Sequence, residues 1–470
     1  MVHEVLPLAG REAVLWIGAG AGYYPLPLVL RRAEVNELAG DWAAAERDLR
    51  AAVSHADGSG SAAERIDSRQ RLSSLLQGRG DNREALAQAE AAVALAQDAG
   101  DGLLAAEART ALSAVLARLS EHERGLAECR RALAVFRERG DRRGISRALN
   151  NLGVILSNVG EYAQAIECYR ERLAIDTALG DRRGVSTACN NIGACLLYLG
   201  DRAAAREHFQ RKLMEDRAIG HKMGLAVALC NLGHLDQLDG RLDDAERCFE
   251  QALEIYRGLG ERRGTCVVIN NLGNVHDARG EYRESLDCYQ RSLVLASEMG
   301  DPKGEALYRC NIGLCRKQLG EAEEALRWYD EGIAGLVALE QYYDACYHLY
   351  DRAELLRQLG RTGQARASAE EGIRYAERSG RDEVRFDLQV QLAGIGSGDD
   401  PAAAAAQLRA LLDEHDQPSR RAVLHHELYE LTRDDGHRAA AADLYRGLLA
   451  ATGDPKYGRE LDRLGTGGAP

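Results

Sequence analysis

The sequence predicts an all-α solenoid, and three observations predict it. A forty-residue phrase recurs: Asn150-Asn151-Leu152-Gly153 returns as Asn190-Asn191-Ile192-Gly193, Cys230-Asn231-Leu232-Gly233, Asn270-Asn271-Leu272-Gly273 and Cys310-Asn311-Ile312-Gly313. A fixed period of this length marks units that bury their apolar faces only against their neighbours. Glycine punctuates both halves of the period, at Gly140, Gly160, Gly180, Gly200 and onward to Gly320. Composition agrees, with Ala, Leu, Arg, Glu and Gly dominant, only 8 Pro, and no long β-branched run. A solenoid grows along one axis, so 470 residues do not require the two or three cores their length would otherwise suggest.

The first segment, residues 1–24, is the least regular. Ala13 to Leu30 carries no charge and approaches the lower length of a membrane span. Gly18, Gly20, Gly22, Pro25 and Pro27 interrupt it, and Glu4, Arg11 and Glu12 stand where a signal peptide needs positive charge. Membrane insertion is therefore not expected, and a buried N-terminal segment is. The glycine string is followed by Tyr23-Tyr24-Pro25 rather than Lys-Ser/Thr, so it lacks what a phosphate loop requires.

Residues 25–140 read as degenerate helix pairs, with Gly40-Asp41 and Gly80-Asp81 at the phase of Gly160-Glu161. Residues 141–340 are the regular array, each copy opened by a phrase like Asp141-Arg142-Arg143-Gly144. Glycine closes a helix at low steric cost, and the acid that follows suits the next N-terminus. Between turns there is room for a helix of roughly 16 residues, about 24 Å long. Leu149, Leu152, Ile155 and Leu156 mark one helix, and Ala165, Ile166, Tyr169, Leu173 and Ile175 its partner. Gly153, Gly193, Gly233, Gly273 and Gly313 fall mid-helix, where glycine costs about 1 kcal/mol relative to Ala. Recurrence at that cost predicts a partner helix crossing too closely for a β-carbon. Residues 341–464 diverge: after Gly380 the phase slips, Gly394-Ile395-Gly396-Ser397-Gly398 breaks the array, and two short pairs follow with Pro418 and Gly436 at their turns. Such irregular units serve as a cap, and residues 465–470 are expected to fray.

A net charge of −13 argues against nucleic acid as a partner. The 11 cysteines form no C-x-x-C pair. Several share repeat positions (Cys168, Cys248 and Cys288; Cys230 and Cys310; Cys195 and Cys315), as packing residues do. Unpaired thiols in this number point to a reducing, cytoplasmic compartment.

Asn-Leu-Gly, then Gly160-Glu161-Tyr162, then Ala165-Ile166-Glu167-Cys168-Tyr169 resembles the tetratricopeptide repeat (TPR). The forty-residue spacing is similar to the longer-helix subclass of Pins/LGN-type scaffolds and bacterial signalling arrays. The resemblance is specific across 141–340, extends over 101–380, and weakens over 25–100. Asp351 replaces the repeated Asn in one copy, and Thr110-Ala111-Leu112-Ser113 replaces the phrase in another. The resemblance implies a right-handed α–α superhelix of about ten or eleven helix pairs, with the first helix of each pair lining a concave groove.

Carried onto this chain, the motif places Asn151, Asn191, Asn231, Asn271 and Asn311 on the groove helices, with Asn150, Asn190 and Asn270 adjoining. Helices packed about 8–10 Å apart would meet an extended peptide, rising about 3.3 Å per residue, roughly every third residue. An amide both donates and accepts, so it can bond a backbone of any sequence. Two roles stay open for this row: binding a peptide, or bracing adjacent repeats. Specificity would come from positions that vary, namely Val154, Ala194, His234, Asn274 and Leu314, and one turn later Ser157, Leu197, Gln237, Asp277 and Lys317. The early groove is apolar, helped by Tyr198, and the later groove polar. The Lys/Asn/Arg clamp of chaperone-binding TPRs is not reproduced.

No metal site, cofactor site or catalytic set is expected. His234 and Asp236 diverge by about 200° on a helix, and His276 and Asp277 by about 100°. Asp236 and His276 share a repeat position, but two ligands fall short of a zinc site. His425-His426-Glu427 lacks the zinc-protease spacing. Arg142-Arg143, Arg182-Arg183, Lys222, Arg262-Arg263 and Lys303 form a basic rim, read as solvated or paired with acids. The functional expectation is a non-catalytic scaffold that binds a partner peptide or helix in the concave groove. The alternative is the sensor module of a bacterial signalling or defence system whose effector is on another chain.

Overall fold

A computed structural model of the chain describes residues 5–8, 11–14, 26–395 and 400–465. The glycine string at 18–22, most of the break at 394–398 and the tail from 466 lie outside them. A short antiparallel hairpin comes first, β1 (Val5–Leu8) and β2 (Arg11–Val14), with Val5 opposite Val14 and Leu8 opposite Arg11. A helical period of 3.6 residues gave no warning of it.

Among the described residues, every element after the hairpin is a helix. The early pairs are α1 (Leu26–Leu38) with α2 (Trp42–Ser59), α3 (Ala62–Arg79) with α4 (Asn82–Asp98), and α5 (Gly102–Arg118) with α6 (His122–Arg139). The regular pairs are α7 (Arg142–Asn158) with α8 (Tyr162–Leu179), α9 (Arg182–Tyr198) with α10 (Arg202–Ala218), α11 (Lys222–Leu238) with α12 (Leu242–Gly258), α13 (Arg262–Ala278) with α14 (Tyr282–Met299), and α15 (Pro302–Gln318) with α16 (Ala322–Ala338). The late elements are α17 (Tyr342–Gln358), α18 (Thr362–Arg378), α19 (Asp382–Ile395), α20 (Pro401–Glu414), α21 (Pro418–Thr432), α22 (Asp435–Thr452) and α23 (Pro455–Arg463). The fold is thus an α–α solenoid, eleven helix pairs and a last helix among the described residues. Two compact units divide it, residues 1–235 and 236–470.

The helix ends follow local chemistry. Gly140 adopts φ 68°, and Asp141 N donates back to Phe136 O at 2.9 Å, closing α6 with a left-handed cap. Asp141 Oδ1 then accepts from Gly144 N at 3.0 Å and opens α7, as Asp181 does from Gly184 N at 3.0 Å for α9. The glycine of the opening phrase has a second duty. A β-carbon on Gly144 would stand 2.3 Å from Cδ1 of Phe136.

At three of the mid-helix glycines the close approach comes from an aromatic ring of the partner helix, whereas at Gly313 a β-carbon would stand 3.2 Å from both the Ala325 carbonyl oxygen and the Tyr329 ring. A β-carbon at Gly153 would lie 2.6 Å from the Tyr169 ring, at Gly193 2.6 Å from the Phe209 ring, and at Gly273 2.7 Å from the Tyr289 ring. Each ring comes from the second helix of the same pair, and Tyr169, Phe209 and Tyr289 are all buried.

Charge is also buried. Asp176 accepts from Ser146 Oγ at 2.6 Å and from Arg172 Nε at 3.0 Å. One repeat on, Asp216 accepts from Lys212 Nζ at 2.7 Å and pairs with His221 Nδ1 at 3.0 Å. The cysteines are all free thiols, and burial pushes Cys129 up to about 11, which leaves it inert at neutral pH.

Candidate functional site

In each unit the first helices of successive pairs approach one another, α3 with α5, α5 with α7 and α7 with α9, and later α15 with α17 and α17 with α19. Their shared face carries the asparagine row. Asn151 Nδ2 donates to the Thr110 carbonyl at 2.9 Å and to Ser113 Oγ at 3.3 Å. Asn191 Nδ2 donates to Asn150 Oδ1 at 3.4 Å, Asn231 Nδ2 to Asn190 Oδ1 at 3.0 Å, and Asn311 Nδ2 to Asn270 Oδ1 at 2.9 Å. Within two copies the neighbours also bond, Asn150 Nδ2 to Asn151 Oδ1 at 3.2 Å and Asn190 Nδ2 to Asn191 Oδ1 at 3.4 Å. The row therefore ties α7 to α5, α9 to α7 and α11 to α9 in the first unit, and α15 to α13 in the second. Asn271 stands half-buried at the same register. An amide has a second N–H and a second lone pair, so bracing uses only part of its capacity.

The pattern runs further than the spacing of the glycines suggested. Gln391 of α19 occupies the ladder register, and its Nε2 donates to the Tyr350 carbonyl at 3.1 Å. The phase thus holds to the end of α19, and the slip comes after it. The register itself was the available signal, since Gln391 follows Asp351 by one period.

The variable positions spread along the same face. His234 is exposed, yet crowding by the protein lowers its pKa, as does the charge of Arg202. Gln237 is half-buried one turn on. Asn274 accepts from Tyr289 OH at 2.6 Å, which fixes its amide. Tyr198 is 71 % exposed and stacks on Tyr162, ring centres 4.8 Å apart and planes parallel. Asp277 has a buried Oδ1 with no hydrogen-bond partner among the described residues, and burial pushes its carboxyl up. Lys317 lies near enough to Asp351 to oppose the rise of that carboxyl.

Near the start of the row, a cavity of about 340 Å³ opens across α3, α5 and α7, lined by Thr110, Ala114, Asn150, Asn151 and Arg172 among others. Arg172 was not singled out by spacing. It reaches in from α8 and donates to Asn150 Oδ1 at 2.5 Å.

The pair of groups that share a metal-like register are committed elsewhere. Asp236 pairs with Arg241 at 2.9 Å and His276 Nδ1 with Glu281 at 2.6 Å. The basic rim is exposed, and several members pair with acids: Arg182 with Glu215 at 4.0 Å, Arg262 with Glu298, and Lys303 with Asp344 at 3.1 Å. Exposed pairs of this kind add roughly 0–1 kcal/mol.

Asp351 is the one acid in the ladder register. Burial pushes its carboxyl up to about 6, Lys317 opposing and Asp277 adding. A carboxyl raised in the folded state destabilises the fold as pH climbs from about 3.9 through about 6. Asp351→Asn should therefore stabilise the second unit at about pH 8 by roughly 1–2 kcal/mol, after a discount for partial exposure. Urea melts at about pH 8 and about pH 4.5 check it, because a charge effect shrinks at the lower pH. An equal gain at both would assign the effect to the new amide's bonding instead.

A tetratricopeptide-repeat family model matches residues 104–178, 145–213 and 224–298. No match among curated proteins was found. Among solved structures, the apo form of RapI is 12% identical, with a TM-score of 0.57, covering 76% of this chain and 99% of that one. BtubC (BKLC) from P. vanneervenii is 19% identical, with a TM-score of 0.40, covering 47% and 90%. A Signal Transduction ATPase with Numerous Domains (STAND) protein with a tetratricopeptide repeat sensor, from Pyrococcus horikoshii, is 16% identical, with a TM-score of 0.48, covering 71% and 54%. At these identities the likeness is one of fold.

Proposed function

Since residues 104–213 and 224–298 match the tetratricopeptide repeat, we propose that the chain is a non-catalytic binding protein whose first-helix face takes an extended segment of a partner protein. The observation that carries this reading is the cavity of about 340 Å³ whose walls come from three successive first helices. An extended peptide lying along the first helices of the first unit can bond its backbone to the amide capacity that bracing leaves unused on Asn150, Asn151, Asn190, Asn191 and Asn231, and the second unit offers Asn270, Asn271 and Asn311 in the same way. His234, Gln237, Asn274, Asp277, Lys317 and Tyr198 would then read its side chains. Each backbone bond adds about 0.5–1.5 kcal/mol net, so useful affinity needs several rungs. Eleven free thiols support a reducing, cytoplasmic setting, and no helix among the described residues is long and apolar enough to cross a membrane.

Photo-crosslinking tests the reading. A benzophenone side chain at Ala114, in the cavity, should capture a partner segment from the native extract, and one at Arg130, exposed on α6, should not. Equal capture from both, or none from Ala114, would overturn it. Mutations separate the two duties of the row. His234→Ala with Gln237→Ala should weaken the captured complex and leave melting nearly unchanged. Asn191→Ala with Asn231→Ala should weaken it and also cost stability, about 0.5–1.5 kcal/mol for each bracing bond lost.

A further inference from the structure

At the far end of the second unit, the first helices α17, α19 and α21 enclose a cavity of about 330 Å³. Tyr350, Glu354 and Arg357 line it from α17, Asp387 and Gln391 from α19, and Glu427 from α21. Two of these groups satisfy each other, because Arg357 donates to both carboxylate oxygens of Glu354 at 2.9 and 2.7 Å. Neither Asp387 nor Glu427 has an ion pair among the described residues. Both are exposed toward the cavity side of their helices.

Gln391 adds an independent sign. It is only 9% exposed, and its Nε2 is spent on the Tyr350 carbonyl. Its Oε1 is buried and accepts no hydrogen bond among the described residues. A buried acceptor left unpaired costs about 1–3 kcal/mol, so a donor delivered there is favoured. The cavity thus presents two carboxylates, one amide oxygen and the exposed ring of Tyr350, with its own guanidinium already engaged. That inventory is rich in acceptors, with the Tyr350 hydroxyl able to donate or accept.

A metal ion does not suit it, since no group of three or more His, Cys, Asp and Glu that could hold one occurs among the described residues. A guanidinium fits better than an ammonium. It offers five donors in one plane, enough to serve acceptors on two helices, and its flat face stacks on an aromatic ring. The cavity opens on the first-helix face of the second unit, so an arginine in a peptide lying on that face would reach it.

We infer that this cavity receives the guanidinium of an arginine side chain of the bound peptide, with Asp387 and Glu427 as carboxylate partners and Gln391 Oε1 as a further acceptor. The inference rests on the proposed groove function and gives it a chemistry. Burial raises both carboxyls, at Asp387 with Glu383 adding and Arg420 opposing, and at Glu427 with Glu430 adding and His426 and Arg357 opposing. An incoming cation reverses that penalty.

The test is calorimetric titration of the full chain with three probes. These are acetyl-Ala-Ala-Arg-Ala-Ala-amide, the same peptide with citrulline for arginine, and agmatine. The arginine peptide should bind, the citrulline peptide at least tenfold more weakly, and agmatine more weakly than the arginine peptide. Asp387→Asn with Glu427→Gln should cost the arginine peptide at least tenfold while helix content stays unchanged and melting does not fall. Equal binding of the citrulline peptide, or full binding by the double variant, would overturn the inference. Agmatine matching the peptide would overturn the peptide source and leave a free small cation as the ligand. A partner captured from Ala114 but indifferent to the double variant would defeat this inference alone. An arginine peptide bound here with nothing captured from Ala114 would defeat the groove reading alone.

Discussion

Truncating Phe209 to Ala should cost the first unit about 3–5 kcal/mol, and it should reverse the sign of a second mutation. Phe209 is 1% exposed and lies over Gly193, where a β-carbon would stand 2.6 Å from the ring. In the native chain, Gly193→Ala gains about 1 kcal/mol of helix propensity and loses about 1–3 kcal/mol to overpacking, so the net effect is destabilising. With the ring removed, the overpacking disappears and the propensity gain alone remains. Gly193→Ala should then stabilise the Phe209→Ala protein. Denaturant melts of the two single variants and the double variant close the cycle. Should Gly193→Ala destabilise both backgrounds alike, the ring is not what keeps a glycine in mid-helix.

The buried Lys212–Asp216 pair carries the second large effect. Lys212 is 6% exposed and Asp216 0%. Burial alone would raise the Asp216 carboxyl, but hydrogen bonds from Lys212, His221 and Ser186 outweigh it and hold the carboxyl below its ordinary value. Asp216→Leu strands the ammonium of Lys212 in the core, at an expected cost of about 3–5 kcal/mol. Lys212→Met with Asp216→Leu should recover most of that loss, because replacing both partners by apolar groups of similar volume is often neutral or stabilising. A lowered folded pKa contributes stability above the unfolded value, about 3.9, and that stability is lost as pH falls through the folded pKa. The native first unit should therefore lose stability more steeply below about pH 4 than the double variant does. Parallel acid titrations followed by circular dichroism decide it, and superimposable curves would show that the pair carries no acid sensitivity.

Much of the fold was legible because its causes are local. The forty-residue period, the left-handed glycines such as Gly140 and the capping acids such as Asp141 act within a turn or two of the chain, and a sequence displays such neighbours directly. The glycine of mid-helix was legible only as a cost. Which atom demanded it depended on Tyr169, Phe209 and Tyr289, each sixteen residues further on and across a packed interface.

The candidate site divides in the same manner. The repeat motif put the asparagines on one face and showed Asp351 in their register, while Gln391 was recognised there only from its bond to the Tyr350 carbonyl. The partners of those asparagines, forty-one residues away on the preceding first helix, were not visible, because an amide reads the same whether it braces or binds. The cavity carboxylates were less visible still. Asp387 and Glu427 are ordinary acids in an acidic chain, and nothing in their neighbours along the sequence marks them. What sets them apart is that packing placed them beside a buried, unpaired Gln391 oxygen while Arg357 was already spent on Glu354. Sequence by itself determined the helices, their ends and the face they share, through interactions of short reach. Tertiary structure alone decided which polar groups on that face satisfy one another and which are left facing the groove, because pairing and desolvation are set by distances between helices that the chain order does not contain.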